Sequence, residues 1–159
     1  MLRKPQELHF GAAGIPNSTP RKSTPNGVKR VAELGLDAME IEFVRGVRMS
    51  DESVAEVKAV AQQLGIALTV HAPYYINLNP AEQEKVETSI NRILESARVG
   101  YKADAWSVVF HSGYYRDSTP EQALQKVEEA IKRIVKALKD EGIEIWIRPE
   151  LVGGVKEAL

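Results

Sequence analysis

Apolar positions along the chain change period four times, from short clusters at strand spacing to longer stripes at helical spacing. Leu8, His9, Phe10 and Gly11 form a first short apolar run that breaks into Gly14, Pro16, Asn17 and Pro20, as a strand does on entering a loop. Thr24 followed by Pro25 then offers an N-cap and a first-turn proline, and Val28, Val31 and Leu34 recur at helical spacing until Gly35. The same grammar returns from Ala38 to Val44 (strand), from Ser50 to Gly65 (helix with Val54, Val57, Ala61 and Leu64 on one face) and from Ile66 to Val70 (strand, ending at His71). Asn79 with Pro80 is expected to open the next helix, which carries Val86, Ile90, Ile93, Leu94 and Ala97 and stops at Gly100. Ala105 to Phe110 reads as a strand ending at His111. Thr119 with Pro120 caps a helix predicted to turn Leu124, Val127, Ile131, Ile134, Val135 and Leu138 inward, with Glu128–Lys132 and Glu129–Arg133 paired outside. Gly142 closes it, and Ile143 to Ile147 is the last strand, running on to Glu150.

Strands that alternate with single helices imply βαβ crossovers and a parallel sheet, so the predicted fold class is α/β. A doubly wound open sheet and a (β/α)8 barrel share this grammar. The stretch Gly11-Ala-Ala-Gly is not G-x-G-x-x-G and no Walker motif occurs, so the usual phosphate loops of the open sheet are missing.

With 159 residues, 43% hydrophobic and 27% charged, the chain can bury a core and is read as one domain, 1–159. No apolar run approaches the roughly 20 residues that span a bilayer, and Met1 to Glu7 lacks the apolar stretch of a signal peptide, so a soluble, cytoplasmic protein without a membrane partner is expected. Zero cysteines leave His, Asp and Glu as the strong metal ligands. A net charge of -1 announces no polyanion partner, so any contact with nucleic acid must rest on a local patch.

Polar residues gather at the predicted carboxyl ends of the strands, where barrels keep their active sites: Glu42 and Arg45, His71 and Tyr74, His111 and Tyr114, Arg148 and Glu150. Two of the three histidines end successive strands and a glutamate ends the next. In a barrel such side chains converge, and His, His and Glu form a three-ligand set that leaves zinc an open position. His9, in mid-strand, is read as a packing residue. Tyr74, Tyr75, Tyr114 and Tyr115 lie just past the histidines, where the rings could stack on a sugar or base or wedge into a nucleic-acid groove; equally they could pack the rim, with one ring of each pair buried and one exposed. Arg21, Lys22, Arg45, Arg48, Arg116 and Arg148 make a basic collar suited to a phosphate-bearing ligand. Glu40 and Glu42 share one face of their strand.

These segments resemble the endonuclease IV branch of the xylose-isomerase-like barrels. The resemblance is carried by Phe10-Gly-Ala-Ala-Gly-Ile-Pro, Met39-Glu-Ile-Glu-Phe-Val-Arg-Gly-Val, Val70-His-Ala-Pro-Tyr-Tyr-Ile-Asn-Leu, Phe110-His-Ser-Gly-Tyr-Tyr and Arg148-Pro-Glu-Leu, in order along almost the whole chain. It implies a zinc-dependent phosphodiesterase that cuts DNA beside abasic sites with a three-zinc cluster and a metal-bound hydroxide. It further implies that His71 and His111 ligate one zinc, that Glu150 is the catalytic carboxylate bridging it to a second, and that Tyr74 and Arg45 contact DNA. A full barrel needs eight units, typically about 250 residues, whereas five are read here, so the chain is expected to be the front part of a barrel. One zinc site is then expected rather than three, with cleavage weak or absent. The Leu151-Val-Gly-Gly-Val loop also departs from the family's Gly-x-x-Ser-x-Phe-Gly run. Exposed barrel edges lead to an expected homo-oligomer. The alternatives are a metal-dependent sugar or sugar-phosphate isomerase or epimerase, and an inactive barrel fragment that self-assembles.

Overall fold

A computed structural model describes residues 8–152 and 158–159. Five parallel strands lie side by side in sequence order: β1 Gly11–Ala13, β2 Ala38–Glu42, β3 Ala67–His71, β4 Ser107–His111 and β5 Trp146–Glu150. Between them run α1 Thr24–Glu33, α2 Asp51–Leu64, α3 Gln83–Lys102 and α4 Pro120–Asp140. A doubly wound sheet would reverse its strand order at a switch point. The unbroken order is that of a partial (β/α)8 barrel, with the helices on one face of the sheet. Alternation along each strand explains the layering: Met39, Ile41, Leu68, Val70, Val108 and Phe110 join α1 to α4 in one core, while Glu40, Glu42, Thr69, His71, Val109, His111, Arg148 and Glu150 share the opposite, inner face.

Several boundaries differ from the sequence reading for identifiable reasons. The first strand lies at Gly11–Ala13 rather than Leu8–Gly11, and Leu8 and Phe10 are exposed. The cap of α1 is Ser23, whose side chain accepts from the Asn26 amide, which moves Thr24 into the helix. Ser50 and Thr119 do cap their helices, the latter in a reciprocal capping box with Gln122. Asn79 does not cap α3: the helix begins at Gln83 behind Glu82, which makes no capping bond with its side chain.

Nor does Gly100 end α3. It lies buried inside the helix, where an added Cβ would stand 3.1 Å from Val70 Cγ2 and 3.2 Å from Ile145 Cδ1. Its job is close approach of helix to sheet. On α4 the buried positions are Ala123, Val127, Ala130, Ile134 and Leu138, and Leu124 and Val135 are exposed. Glu128 pairs with Lys132 as expected, but Arg133 reaches across to Glu87 on α3 instead of pairing with Glu129.

The last strand is displaced by three residues. The Ile143 amide returns to the Leu138 carbonyl at 2.8 Å, finishing the turn after α4, and Ile145 enters the core. Pairing therefore starts at Trp146, which puts Glu150 directly beside His111. Among the described residues no helix is long and apolar enough to cross a membrane.

Candidate metal centre

Pleat parity builds the site. His71 pairs with Val109 in the β3–β4 ladder, so His111, two residues further along, projects from the same face; Glu150 is the ladder partner of His111. All three stand at the carboxyl ends of adjacent strands. Their donor atoms lie within 4.8 Å of one another, and both imidazole Nε2 atoms stand 3.3 Å from the same carboxylate oxygen, Glu150 Oε2.

His71 is buried and its ring is fixed, because Nδ1 lies 2.7 Å from the Ala72 carbonyl. A carbonyl can only accept, so Nδ1 carries the proton and, in the neutral ring, Nε2 presents a lone pair to the carboxylate. Two acceptors then face each other at 3.3 Å, and a proton or a metal cation must lie between them to make the contact favourable. A metal ion would meet that requirement beside Glu150 Oε2, the three donor atoms as a group lying within 4.8 Å of one another. The group could thus hold a metal ion with its ligands nearly in place.

Tyr74 flanks this cluster, its ring centroid 4.8 Å from that of His71 and 5.5 Å from that of His111. Its hydroxyl donates to Glu42 Oε1 at 3.4 Å. Burial, then the Glu42 carboxylate, pushes the phenol above its ordinary value, so at neutral pH it remains a hydrogen-bond donor. Glu40, one pleat further in, accepts from Thr69 Oγ1 at 3.2 Å, and burial raises its carboxyl despite the opposing influence of His71.

The structure brings together His71, His111, Glu150 and Tyr74. It does not add Arg45, which is exposed after β2 and makes no hydrogen bond, ion pair or ring contact among the described residues. The expectation of one buried ring per tyrosine pair is overturned for the first pair: Tyr74 and Tyr75 are both exposed, since Tyr74 turns along the rim and Tyr75 lies under the Arg92 guanidinium at 4.2 Å. Tyr114 is exposed and Tyr115 half-buried. His9 lies at the other end of the strands, edge-on to Trp106 at 5.1 Å and beside Asp37. Part of the departing loop, residues 153–157 of Leu151-Val-Gly-Gly-Val and beyond, lies outside the described residues, as does the start, 1–7.

Sequence reasoning missed the buried Asn79. Its Nδ2 donates to the Tyr114 and Tyr115 carbonyls at 2.9 and 3.1 Å, and its Oδ1 accepts from Ser118 Oγ at 3.2 Å, tying the loop after β3 to the loop after β4. It left the role of Glu42 open. The alternation of Met39 and Ile41 with Glu40 and Glu42 is the signal that turns both carboxylates away from the helices.

The chain is similar to proteins of known sequence and of known structure. The chain is 38% identical to the uncharacterized protein MJ0133 of Methanocaldococcus jannaschii over 146 residues, 92% of this chain and 52% of that protein. Among solved structures it is similar to a D-tagatose 3-epimerase-like protein (TM-score 0.74, 20% identity, 96% of this chain and 56% of that one). It is also similar to endonuclease IV from Thermus thermophilus (TM-score 0.71, 20% identity, 94% and 54%). The chain therefore spans about half the length of the proteins it matches. At this identity the structural likenesses establish the fold. Residues 28–156 match the xylose isomerase-like TIM barrel model, and the chain belongs to that family.

Proposed function

We propose that the chain carries a zinc site of a phosphodiesterase acting on DNA at abasic sites, with His71, His111 and Glu150 as ligands. The observation that supports this reading is the shared approach of two imidazole nitrogens to one carboxylate oxygen at 3.3 Å. Imidazole-rich sets suit zinc, whereas the carbonyl and carboxylate sets of magnesium or manganese sites are oxygen-rich. When bound, zinc supplies Lewis acidity toward a phosphoryl oxygen. The chain's own residues do the rest: the Ala72 carbonyl fixes the His71 tautomer, Glu150 Oε2 bridges the two rings, and Tyr74, oriented by Glu42, offers a neutral donor and an aromatic face beside them. Arg45 serves as a DNA contact in this reading. A three-zinc cluster needs ligands beyond these, so cleavage by the 159-residue chain is weak or absent while metal binding persists.

A second reading, sugar or sugar-phosphate epimerisation, is favoured by the carboxylates Glu40 and Glu42 on the same inner face and by the fold shared with the epimerase-like protein.

Metal analysis after dialysis against zinc tests the site. One zinc per chain is expected, and none in the His71→Ala, His111→Ala double variant. Equal zinc in parent and variant refutes the ligand set. Cleavage of an abasic-site duplex against turnover of a ketose then separates the two activities.

A further inference from the structure

The loop after β3 presents His71 and Tyr74 to the metal centre, but its next residues line a different depression. A cavity of about 330 Å³ is bounded by Tyr75, Asn77, Glu82, Lys85, Arg92 and Arg116, among others, and shares no residue with the His71, His111 and Glu150 group. Three cations surround it against a single carboxylate. Lys85 and Glu82 satisfy each other at 2.5 Å. Arg92 and Arg116 both line this depression, and neither side chain has a hydrogen bond or ion pair among the described residues.

The Arg92 side chain is held in place, and so is the backbone that carries Arg116. The Arg92 guanidinium stacks 4.2 Å above the Tyr75 ring, which fixes its plane and leaves its edge free to donate. Arg116 sits in the left-handed backbone region at φ 49, costly for a residue with a side chain. The loop that imposes this conformation is tied down by the three Asn79 hydrogen bonds. Asn77, whose amide donates to Ser89 Oγ, is closely approached by Gly113, where φ is 130 and an added Cβ would stand well inside contact distance of Asn77 Oδ1. Two guanidinium forks from different elements, α3 and the β4–α4 loop, suit an oxyanion with several oxygens at tetrahedral angles. A planar carboxylate would be satisfied by one of them.

We propose that this cavity is an anion site in which Arg92 and Arg116 grip a phosphate group borne by a substrate. The site is independent of the metal centre, so its failure and that of the zinc reading are distinguishable.

Titration of the full chain with inorganic phosphate at low ionic strength, followed by amide chemical shifts and by calorimetry, tests it. Saturable binding is expected, with shifts concentrated at Asn77, Arg92 and Arg116, an observation that needs no variant. Arg92→Gln and Arg116→Gln should each weaken binding about tenfold, the scale of one lost charge-assisted hydrogen bond. Lys136→Gln, on the exposed face of α4, should leave it within about twofold, and zinc content should be unchanged in all three. Ribose 5-phosphate and a short DNA oligonucleotide, each competed against phosphate, identify whether a small phosphate ester or a nucleic-acid backbone is the source. Absence of saturation, equal weakening by Lys136→Gln, or failure of both competitors overturns the proposal.

Discussion

Asn79 separates two physical roles that one substitution can tell apart. As a helix cap it would need only a side-chain oxygen, and Asp would serve as well as Asn. As the clamp between two rim loops it needs its amide N–H groups, because both partners, the Tyr114 and Tyr115 carbonyls, are acceptors. The residue itself is 2% exposed and both bonds are part-buried, so truncation removes a protein donor from each carbonyl. Each buried hydrogen bond is worth about 1 kcal/mol net, and an orphaned buried acceptor costs about 1–3 kcal/mol, so Asn79→Ala should cost roughly 2–4 kcal/mol. For a chain of this size that lowers Tm by roughly 4–16 °C. Asn79→Asp should cost at least as much, since its carboxylate would face two carbonyls. Asn17→Ala, an exposed position, provides the control, expected within about 0.5 kcal/mol. Thermal and urea unfolding measure all three. An Asp variant as stable as the parent would refute the clamp and restore the cap.

Two further outcomes follow from the same geometry. Glu40 holds its proton more tightly folded than unfolded, so its favourable contribution is complete below the ordinary carboxylate value of 4.5 and disappears as pH rises through the raised native value. Glu40→Gln should therefore gain Tm over the parent at pH 8 and lose that advantage in acid; melting both proteins across pH in the presence of a chelator checks this, and a pH-independent difference contradicts it. Among the described residues β1 and β5 are the edge strands, and exposed Leu124 and Leu151 lie beside an apolar groove of about 540 Å³ along α4; on the proposal that these surfaces self-associate, Leu124→Glu should shift the population toward monomer. Light scattering decides: a parent monodisperse at 17.6 kDa and micromolar concentration ends that expectation.

The sequence was most legible where local chemistry and burial agree. Ser50 and Thr119 cap helices because each hydroxyl accepts from the amide three residues on, and the β-branched runs before His71 and His111 form strands because both periodicity and propensity favour them. It misled where tertiary contacts override a local signal. Asn79-Pro80 has the chemistry of a helix start, but the Tyr114 and Tyr115 carbonyls claim the side chain. Gly100 looks like a stop, yet the closeness of Val70 and Ile145 requires its missing side chain in mid-helix. Ile143 has strand character, and the turn after α4 consumes it. The endpoints His71, His111 and Glu150 were readable because each follows an apolar run; their common face was readable only once strand adjacency was assumed.

That adjacency also separates metal binding from catalysis. Every atom of the His71, His111 and Glu150 group comes from β3, β4 and β5, three neighbouring strands whose ladders fix the relative height of the side chains. The backbone bonds that hold β3 to β4 and β4 to β5 lie wholly within this chain, and the Ala72 carbonyl that sets the His71 tautomer is the next residue along. A cation gripped there needs nothing from the remaining half of the longer relatives. Transition-state stabilisation is different: it requires groups on the far side of the reacting centre, and the inner face opposite β3 and β4 is where a closed barrel would place them. On the proposed zinc reading, metal affinity and turnover should therefore part company in this chain. On the proposed reading, a chain extended to the length of the relatives should gain far more in turnover than in affinity for the first metal.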